Sequence, residues 1–511
     1  MKLPPRWQNL GIALGLFLLG IVTRVPFRSR MLYHWDSVNF ALGLEHYDVY
    51  LHQPHPPGYF LYVMVGRLFS FLAGDANAGL VWLSIIATGL AAAAIFGVGQ
   101  ALWDRQTGIL ASLLLLTSPL FWFHGEVALS YTVEAVFVLT VALLCYRHLT
   151  GADDRLWLSA IVLGIAGGFR QNTMLFLLPL WAAAAWRFRW RRLVGATAAL
   201  ALTCLAWVLP MLALSGGPTR YLDALGAASQ GVAAESSLAD VRQMAVNGFR
   251  LTMFTAYALG IGLIFLLLGI GYGLWRYRRT ARARIRLPQI HLFFWWLAPS
   301  LLFYTFMHIR QPGHTFTFMP ALLLILSFIL TRGLPATLRR ISRQGVWVSA
   351  GLILLANITF FLTAPPYLFG ARRIVFTSPS WPTIRQRDTS LETRIAYIRA
   401  NLPPDQTAIL SSGLDFRHPD FYLREYPIFR YATLPLTASV PLSPSIRTLV
   451  LFGEGLQGEN CQTVALGSVE RLCRIPRAPD QDVVIEGTTV HLRPSAAGQT
   501  LHFACSPGRR E

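Results

Sequence analysis

Apolar runs long enough to cross a bilayer recur along residues 7–364 of this 511-residue chain. A hydrocarbon core of about 30 Å needs roughly 20 apolar residues in helical form. Backbone polar groups inside that core must be paired within the segment, which favours helices. The chain is also 54% hydrophobic and only 14% charged. This pattern predicts a polytopic α-helical membrane protein rather than a soluble globular one.

The basic residues are distributed in a way that argues against nucleic-acid binding. A formal charge of +19 would suggest a nucleic-acid partner if the protein were soluble. The strongest basic stretches, however, are short blocks between apolar segments, at residues 187–192, 276–286 and 332–343. Cytoplasmic loops of membrane proteins carry such blocks. We therefore exclude nucleic acid and place these three blocks in the cytoplasm.

That placement predicts about eleven spans, a cytoplasmic N-terminus and an extracytoplasmic C-terminus. The expected spans are residues 7–26, 78–101, 107–123, 127–146, 156–169, 172–186, 193–214, 251–275, 291–309, 314–331 and 345–364. Residues 58–73 are also apolar, but Arg67 interrupts them and they are short for a span. A crossing there would turn the basic blocks outward. We therefore expect a juxtamembrane or re-entrant helix at the outer interface.

The candidate polar clusters all fall on the outer side of this topology. They are residues 34–57, 124–126, 170–172, 215–250 and 310–314. Polar groups that converge on one face of a membrane bundle indicate a site. For any single position, an ordinary polar loop is the simpler interpretation.

The composition of the chain changes from apolar to polar after about residue 365. We divide the sequence into a membrane domain of residues 1–365, whose first outer loop is 27–77, and an extracytoplasmic domain of residues 366–511. The second domain is rich in Pro, Thr, Ser and charged residues, and its pattern predicts a small α/β fold. Thr389 to Glu392 resembles a capping box that opens a helix ending at Pro403. The expected strands are residues 407–411, 447–452, 483–485 and 489–492.

The cysteines give limited information. There are five, and none has the spacing of a zinc site. Cys145 and Cys204 lie in apolar segments and are expected to be inert packing residues. A Cys461–Cys473 disulfide is possible because the C-terminal domain is expected outside the cytoplasm.

The first outer loop combines an acid, histidines and aromatic residues. His34-Trp35-Asp36-Ser37 is followed by His52-Gln53-Pro54-His55-Pro56-Pro57-Gly58-Tyr59. Asp36 precedes a short predicted helix, so it can be an N-cap that accepts bonds from free amides. A capped carboxylate also stays ionised and fixed in place, so it can take a proton from an attacking hydroxyl. It can equally hold a divalent cation.

The same stretch resembles a known superfamily. An acid just after the first membrane helix, followed some twenty residues later by His55-Pro56-Pro57-Gly58-Tyr59, is similar to the protein O-mannosyltransferases and aminoarabinose transferases, which have the C-type (GT-C) glycosyltransferase fold. Ser118 to Trp122 and Gly125-Glu126-Val127 are also similar, and these families place a second acid there. The resemblance covers residues 1–190. The sequence departs from the related Asp-Ser-Gly-Glu pattern at Val38-Asn39.

The resemblance implies a specific reaction. A sugar would pass, with inversion, from a polyprenyl-phosphate donor to a hydroxyl of a glycan, lipid or protein acceptor on the outer side of a bacterial inner membrane. Asp36 would be the catalytic base, and Glu126 would orient the acceptor or share a cation with Asp36. The resemblance leaves open whether the reaction needs no cofactor or a divalent cation (Mg²⁺ or Mn²⁺), for which Asp36 is a possible ligand.

A lipid-phosphate leaving group needs cationic donors near the outer leaflet. Arg170, at the turn between two short spans, is the first candidate because a guanidinium matches phosphate oxygens in a planar fork. Arg310 and His314 flank Gln311-Pro312-Gly313, although these residues also fit an ordinary polar turn. His55 and Tyr59 complete the expected substrate-binding set. His55 can instead simply begin an extended entry into the following helix.

Two other functions remain open at this stage. A transporter or flippase for lipid-linked sugars would be expected to show internal repeats and broken helices near the membrane centre. A non-catalytic subunit could retain the fold, and the Val38-Asn39 departure is compatible with one.

Overall fold

The computed structural model describes the chain with several gaps. The described residues are 4–234, 241–279, 287–333, 343–371, 374–411, 415–430, 437–441, 445–453, 462–466, 471–476, 483–485, 488–494 and 500–506. They form two compact units. The membrane unit comprises Met1–Ser29 and Gly43–Ile384, and the C-terminal unit comprises Arg30–Leu42 and Arg385–Glu511. The first-loop segment that carries Asp36 therefore belongs to the C-terminal unit.

Helices dominate the membrane unit. They are α1 (Pro5–Val22), α3 (Phe60–Ala73), α4 (Ala76–Leu102), α5 (Arg105–Thr117), α6 (Pro119–Gly125), α7 (Tyr131–Leu149), α8 (Leu156–Phe169), α9 (Gln171–Ala185), α10 (Trp190–Leu214), α11 (Pro218–Ala234), α12 (Val241–Leu259), α13 (Gly262–Arg279), α14 (Leu287–Phe306), α15 (Met319–Phe328) and α16 (Arg343–Thr363). Short β1 (Tyr367–Ala371) and β2 (Ile374–Thr377) pair as an antiparallel hairpin. The sequence positions that divide the two units, 42/43 and 384/385, fall within helices α2 (Trp35–Glu45) and α17 (Trp381–Asn401).

The apolar helices confirm a multi-pass membrane protein. Within the described residues, five helices are long and apolar enough to cross a membrane, and seven spans result if each bent helix pair counts as one. Shorter apolar helices, among them α3 and α8, add to these. The total of eleven spans and the absolute orientation stay predictions.

The span predicted over residues 251–275 is not one continuous helix. Helices α12 and α13 replace it, and they meet at an angle of 106°. Gly260 lies at the break with a φ of 57°, and a Cβ there would lie 1.9 Å from the Asn357 side-chain oxygen. Only glycine fits both the left-handed backbone and that close approach. Because the flanking residues are apolar on both sides, hydropathy does not reveal this break.

Helix α4 is the centre of the membrane unit and packs against α1, α5 and α7. Glycines allow the closest contacts between α4 and the helices packed against it. A Cβ on Gly20 of α1 would lie 2.9 Å from the Cα of Gly89, and a Cβ on Gly99 would lie 2.7 Å from the Cα of Gly108 in α5. Small residues at such crossings let membrane helices pack by van der Waals contact. This packing fixes the ends of α4, α5 and α7, which carry the polar groups described below.

Helix α3 corresponds to the apolar segment predicted not to cross. It packs against α4, and its Phe71 side chain is 83% exposed. Leu68 and Leu72 are exposed beside it. This apolar face suits contact with lipid, and its position at the outer interface stays a prediction.

The C-terminal unit contains a mixed sheet and a second, smaller sheet. Its strands are β3 (Thr407–Ser411), β4 (Ile428–Arg430), β5 (Thr437–Pro441), β6 (Thr448–Phe452), β7 (Gln462–Ala465), β8 (Arg471–Pro476), β9 (Val483–Ile485), β10 (Thr488–Pro494) and β11 (Thr500–Ser506). The five-stranded sheet has the order β4-β3-β6-β8-β7, with β3 parallel to both β4 and β6. The four predicted strands are all present, and the small α/β fold is confirmed.

Helix α17 packs on this sheet through Leu391, Ile395 and Ile398, as its periodicity predicts. The predicted helix start at Thr389 is wrong, because α17 already begins at Trp381. The Thr389 carbonyl instead accepts a bond from the Thr393 hydroxyl within the helix. The sequence before Thr389 is polar and charged, so its helical character is not visible in the hydrophobic pattern.

Two predictions about the C-terminal region stay open. Cys473 of β8 is disulfide-bonded, but Cys461 lies outside the described residues, so the Cys461–Cys473 pairing is still a prediction. The functional boundary at residues 365/366 is also still a prediction. The two compact units divide instead at residues 384/385.

Candidate functional site

Arg170 is the centre of a buried polar cluster in the membrane unit. It joins α8 to α9 in an extended conformation and is only 4% exposed. Its Nε lies 3.1 Å from the Glu134 carboxylate of α7. The Thr173 hydroxyl donates to the same carboxylate at 3.3 Å, and an Arg170 terminal nitrogen donates to the Ser130 hydroxyl at 3.2 Å. Glu134 thus has the polar partner that an ionisable group at this depth requires.

Aromatic rings cover the remaining faces of this guanidinium. The Arg170 carbon lies 4.4 Å from the centre of the Tyr131 ring and 5.6 Å from that of Tyr59. Such contacts stabilise a desolvated cation. His314 stacks on Tyr304 with ring centres 5.3 Å apart, and its ring centre lies 6.4 Å from that of Tyr131. The structure therefore brings Arg170, Tyr59 and His314 into one cluster.

The loop that carries His55 and Tyr59 is tied to the helices around it. The two rings lie 4.9 Å apart, and His55 is half-buried. The Pro57 carbonyl accepts bonds from the Gln171 side chain at 3.1 Å and from the Tyr221 hydroxyl at 3.0 Å. The loop thus joins the Arg170 cluster to α11.

Glu126 lies apart from the Arg170 cluster, in a buried environment of its own. It is fully buried, and its electrostatic partners include Arg24. Arg24 follows α1, lies 4.7 Å above the centre of the Trp122 ring and donates to the Leu116 carbonyl at 2.6 Å. The Glu126 carbonyl accepts the Ser29 amide at 2.8 Å. Its predicted role as a second acid is untested.

Arg310 differs from Arg170 in its exposure. It lies between α14 and a short 3-10 helix, Pro312–Thr317, and its side chain is exposed. The neighbouring Ile309 carbonyl accepts a bond from Arg250 of α12 at 3.3 Å. Of these two arginines, Arg310 is the accessible one, whereas the charge of Arg170 is already balanced by Glu134.

Asp36 lies in the C-terminal unit, near the start of α2. Because α2 begins at Trp35, Asp36 is in the first helical turn rather than before the helix. Its carboxylate lies 3.4 Å from His34 Nδ1, and its side chain is 17% exposed. The Ser37 hydroxyl accepts the His34 amide at 3.3 Å, and the His34 carbonyl accepts the Val38 amide at 3.1 Å. Asp36 is thus a partly accessible carboxylate on a hydrogen-bonded turn.

The predicted cation at Asp36 stays a prediction. Among the described residues, no three His, Cys, Asp or Glu side chains are grouped closely enough to hold an ion. Asp36 has one nearby imidazole, that of His34.

Two sets of polar contacts lie at different helix ends within the membrane unit. Arg332, after α15, pairs with Asp104, which precedes α5. Arg105 donates to Gln8 and Asn9 of α1 at 2.9 and 3.0 Å. These contacts lie at the opposite ends of α5–α6 and α7 from the Arg170 cluster. The predicted grouping of all the polar clusters on one side of the membrane stays a prediction.

Sequence reasoning missed part of the cluster. Tyr131 and Tyr304 were not among the candidates, because aromatic residues at helix ends usually mark the membrane interface. An arginine and a glutamate in neighbouring short spans were the available signal for the Arg170–Glu134 pair.

The comparisons with known proteins agree with this architecture. Residues 54–214 match the family described as dolichyl-phosphate-mannose-protein mannosyltransferase. No protein of curated function matches the sequence.

Solved structures share the fold. ArnT from Cupriavidus metallidurans bound to undecaprenyl phosphate aligns with a TM-score of 0.55 and 12% identity, over 94% of this chain and 97% of that chain. The apo state of the same protein aligns with a TM-score of 0.51 and 13% identity over the same shares. The apo oligosaccharyltransferase of Archaeoglobus fulgidus is less similar, with a TM-score of 0.49 and 12% identity over 87% of this chain and 70% of that chain. The chain is therefore a multi-pass membrane protein with the fold of ArnT, the C-type (GT-C) fold, and its residues 54–214 are similar to the mannosyltransferase family.

Proposed function

We propose that this protein transfers a sugar from a polyprenyl-phosphate donor to an acceptor hydroxyl on the extracytoplasmic side of the membrane. The main support is the buried Arg170 cluster, which occurs in a fold shared with a protein whose structure holds undecaprenyl phosphate. The acceptor is a glycan, a lipid or a protein. The membrane is a bacterial inner membrane, with the N-terminus cytoplasmic.

The proposed chemistry is a single displacement. The acceptor oxygen forms a bond to the anomeric carbon while the bond from that carbon to the phosphate oxygen breaks. Its electron pair leaves with the polyprenyl phosphate, and the acceptor proton passes to the Asp36 carboxylate. One displacement inverts the anomeric centre.

The arginines have different parts in this proposal. Exposed Arg310 contacts the donor phosphate as a charged donor. Buried Arg170, neutralised by Glu134, orders Tyr59, Tyr131 and His314 around the place where the sugar phosphate enters. His55 supports the same loop through Tyr59. Stabilisation of the departing phosphate accounts for a large part of the rate.

A donor panel tests this function. The purified chain would be incubated in detergent with short-chain prenyl-phosphate hexoses and pentoses and simple hydroxyl acceptors, with and without EDTA. We expect turnover of at least one donor, and NMR of the product should show the opposite anomeric configuration. Arg310→Ala should raise the donor KM. Lipid binding without turnover of any donor would contradict the proposal and favour a transporter or a non-catalytic subunit.

The EDTA arm separates the two roles open to Asp36. Turnover that persists in EDTA supports a base without a metal. Loss of turnover that Mg²⁺ or Mn²⁺ restores supports a cation near the carboxylate.

A further inference from the structure

The segment that carries Asp36 is built into the C-terminal unit. Residues 30–42 cluster with residues 385–511, although more than 340 positions separate them in sequence. A loop that merely connects two membrane helices has no need of such distant partners. The contacts within the C-terminal unit show how the segment is held.

Main-chain groups of the segment are bonded at each position from Arg30 to Tyr33. The amides of Arg30 and Met31 donate to the Asp388 carboxylate at 2.8 and 3.2 Å. The Leu32 amide donates to the Tyr422 hydroxyl at 2.9 Å. Carboxylate acceptors make such bonds stronger than neutral ones.

Two carbonyls of the same stretch are bonded as well. The Leu32 carbonyl accepts from His418 Nε2 at 2.7 Å, and the Tyr33 carbonyl accepts from Arg387 Nε at 3.3 Å. His418 is completely buried, and Arg387 is 7% exposed. The stretch just before Asp36 is therefore fixed through its backbone on both its donor and its acceptor side.

A further bond reaches the helix of Asp36 itself. Arg417 Nε donates to the Asn39 side-chain oxygen at 2.8 Å, and both side chains are buried, at 3% and 2% exposure. Asn39 is three residues after Asp36 in α2, so the two lie on adjacent positions of one helix face. Arg417 is in turn held by Asp420 at 3.1 Å.

The contact also gives a reason for the residue that departs from the related sequence pattern. Asn39 stands where the Asp-Ser-Gly-Glu pattern has glutamate. A neutral amide accepts the Arg417 bond, and Asp420 supplies the balancing negative charge. The departure therefore fits a positioning contact rather than a lost catalytic acid.

We propose that the C-terminal unit positions Asp36 for glycosyl transfer through the bond from Arg417 to Asn39 and the main-chain bonds to residues 30–33. Arg417 and Asn39 are positioning residues, since they act through the helix and do not touch substrate. This inference rests on the proposed catalytic role of Asp36. It assigns the C-terminal unit a part in the reaction itself, beyond covering the site or binding acceptor.

The test uses the full chain and single-residue variants. Asn39→Leu removes the acceptor at similar size, Asn39→Asp retains an acceptor oxygen, and Arg417→Gln removes the guanidinium. Arg385→Gln is the matched control, because it removes an exposed arginine from α17. All variants would first be compared by size exclusion and thermal unfolding.

We expect Asn39→Leu and Arg417→Gln to lower kcat by up to about 100-fold, because small misplacements of a reacting group have effects of this order. The donor KM should stay unchanged, and Asn39→Asp and Arg385→Gln should behave like wild type. A kcat at the wild-type level in Asn39→Leu and Arg417→Gln would overturn the proposal. So would an Asn39→Asp variant as slow as Asn39→Leu.

Hydrogen exchange provides a readout that does not depend on activity. Peptides covering residues 30–42 should exchange faster in Arg417→Gln than in wild type and Arg385→Gln. Unchanged exchange would overturn the proposal even if no donor is turned over. A wild-type chain that transfers no sugar would instead contradict the proposed function.

Discussion

Each unit of the protein contains a buried arginine–carboxylate cluster, and the two clusters differ in their charge balance. In the membrane unit, Arg170 pairs with Glu134 and tyrosine rings cover its faces. In the C-terminal unit, Asp415 is bonded by both Arg387 and Arg394. The first cluster pairs one arginine with one carboxylate, and we call it the neutral pair. In the second, two arginines share one carboxylate, and we call it the cationic cluster.

The difference follows from the hydrogen-bond and ion-pair partners that each unit provides for a buried arginine. A membrane bundle supplies few free backbone groups, so a buried cation there needs a carboxylate of its own. In the C-terminal unit, the surplus donors reach main-chain carbonyls. Arg387 donates to Tyr33 and Arg394 Nε donates to Ser390 at 3.3 Å. The Arg170–Glu134 pair lies among tyrosine rings inside the bundle, whereas the arginines around Asp415 link segments that are distant in sequence.

The largest effect is expected when the neutral pair is broken. Arg170→Ala leaves Glu134 buried without its cation, which should lower the free energy of unfolding by about 3–5 kcal/mol. Thermal unfolding of the full chain in detergent would measure it. The double variant Arg170→Leu with Glu134→Leu should recover most of this loss. If the double variant is as unstable as the single one, the pair is not what stabilises this region.

The cationic cluster should respond to pH. Burial, with a further contribution from Arg387, lowers the pKa of His418 to about 4. Between pH 6.5, the ordinary pKa of histidine, and about pH 4, the His418 position binds a proton in the unfolded chain but not in the folded chain. Stability should therefore fall by about 3 kcal/mol as the pH drops through this window.

His418→Gln isolates this effect, because glutamine keeps a donor for the Leu32 carbonyl and does not titrate. The difference between wild type and His418→Gln should appear from pH 6.5 to 4 in urea or thermal unfolding. Parallel pH profiles of the two proteins would rule out His418 as the source of the pH dependence.

Asp415 affects stability in another pH range. Although burial opposes it, Arg387 and Arg394 lower the pKa of Asp415, so its contribution is lost only at more acidic pH.

Smaller losses of stability are expected from two α17 variants, and the loss should be greater for the buried contact than for the exposed one. Asp388→Asn weakens the two main-chain bonds to Arg30 and Met31 and should cost about 1–3 kcal/mol. Glu392→Gln breaks an ion pair with Arg30, in which the two side chains are 38% and 60% exposed. Exposed pairs contribute about 0–1 kcal/mol. Equal losses in the two variants would mean that the segment is held by its surface charge rather than by its backbone.

Much of the fold was predictable because it depends on local patterns. The span predicted at residues 78–101 is α4, Ala76–Leu102, and the strand predicted at residues 407–411 is β3. The break at Gly260 was not predictable, since it depends on close packing against Asn357. The early start of α17 was also missed, because its first residues are polar.

The site was predictable only in part, for a related physical reason. Sequence motifs identified Asp36, His55, Tyr59, Arg170 and His314 as residues of interest. They could not show that Arg170 is neutralised by Glu134, or that Arg417 holds the helix of Asp36. Both contacts join residues that are distant in sequence, and they arise from helix packing and domain assembly rather than from local periodicity.

The most direct measurement is single-turnover transfer by wild type and Asp36→Asn at saturating donor. If Asp36 is the base, the variant should bind donor and unfold like wild type, while transfer slows by about 100- to 10,000-fold. Transfer by Asp36→Asn at the wild-type rate would contradict the account.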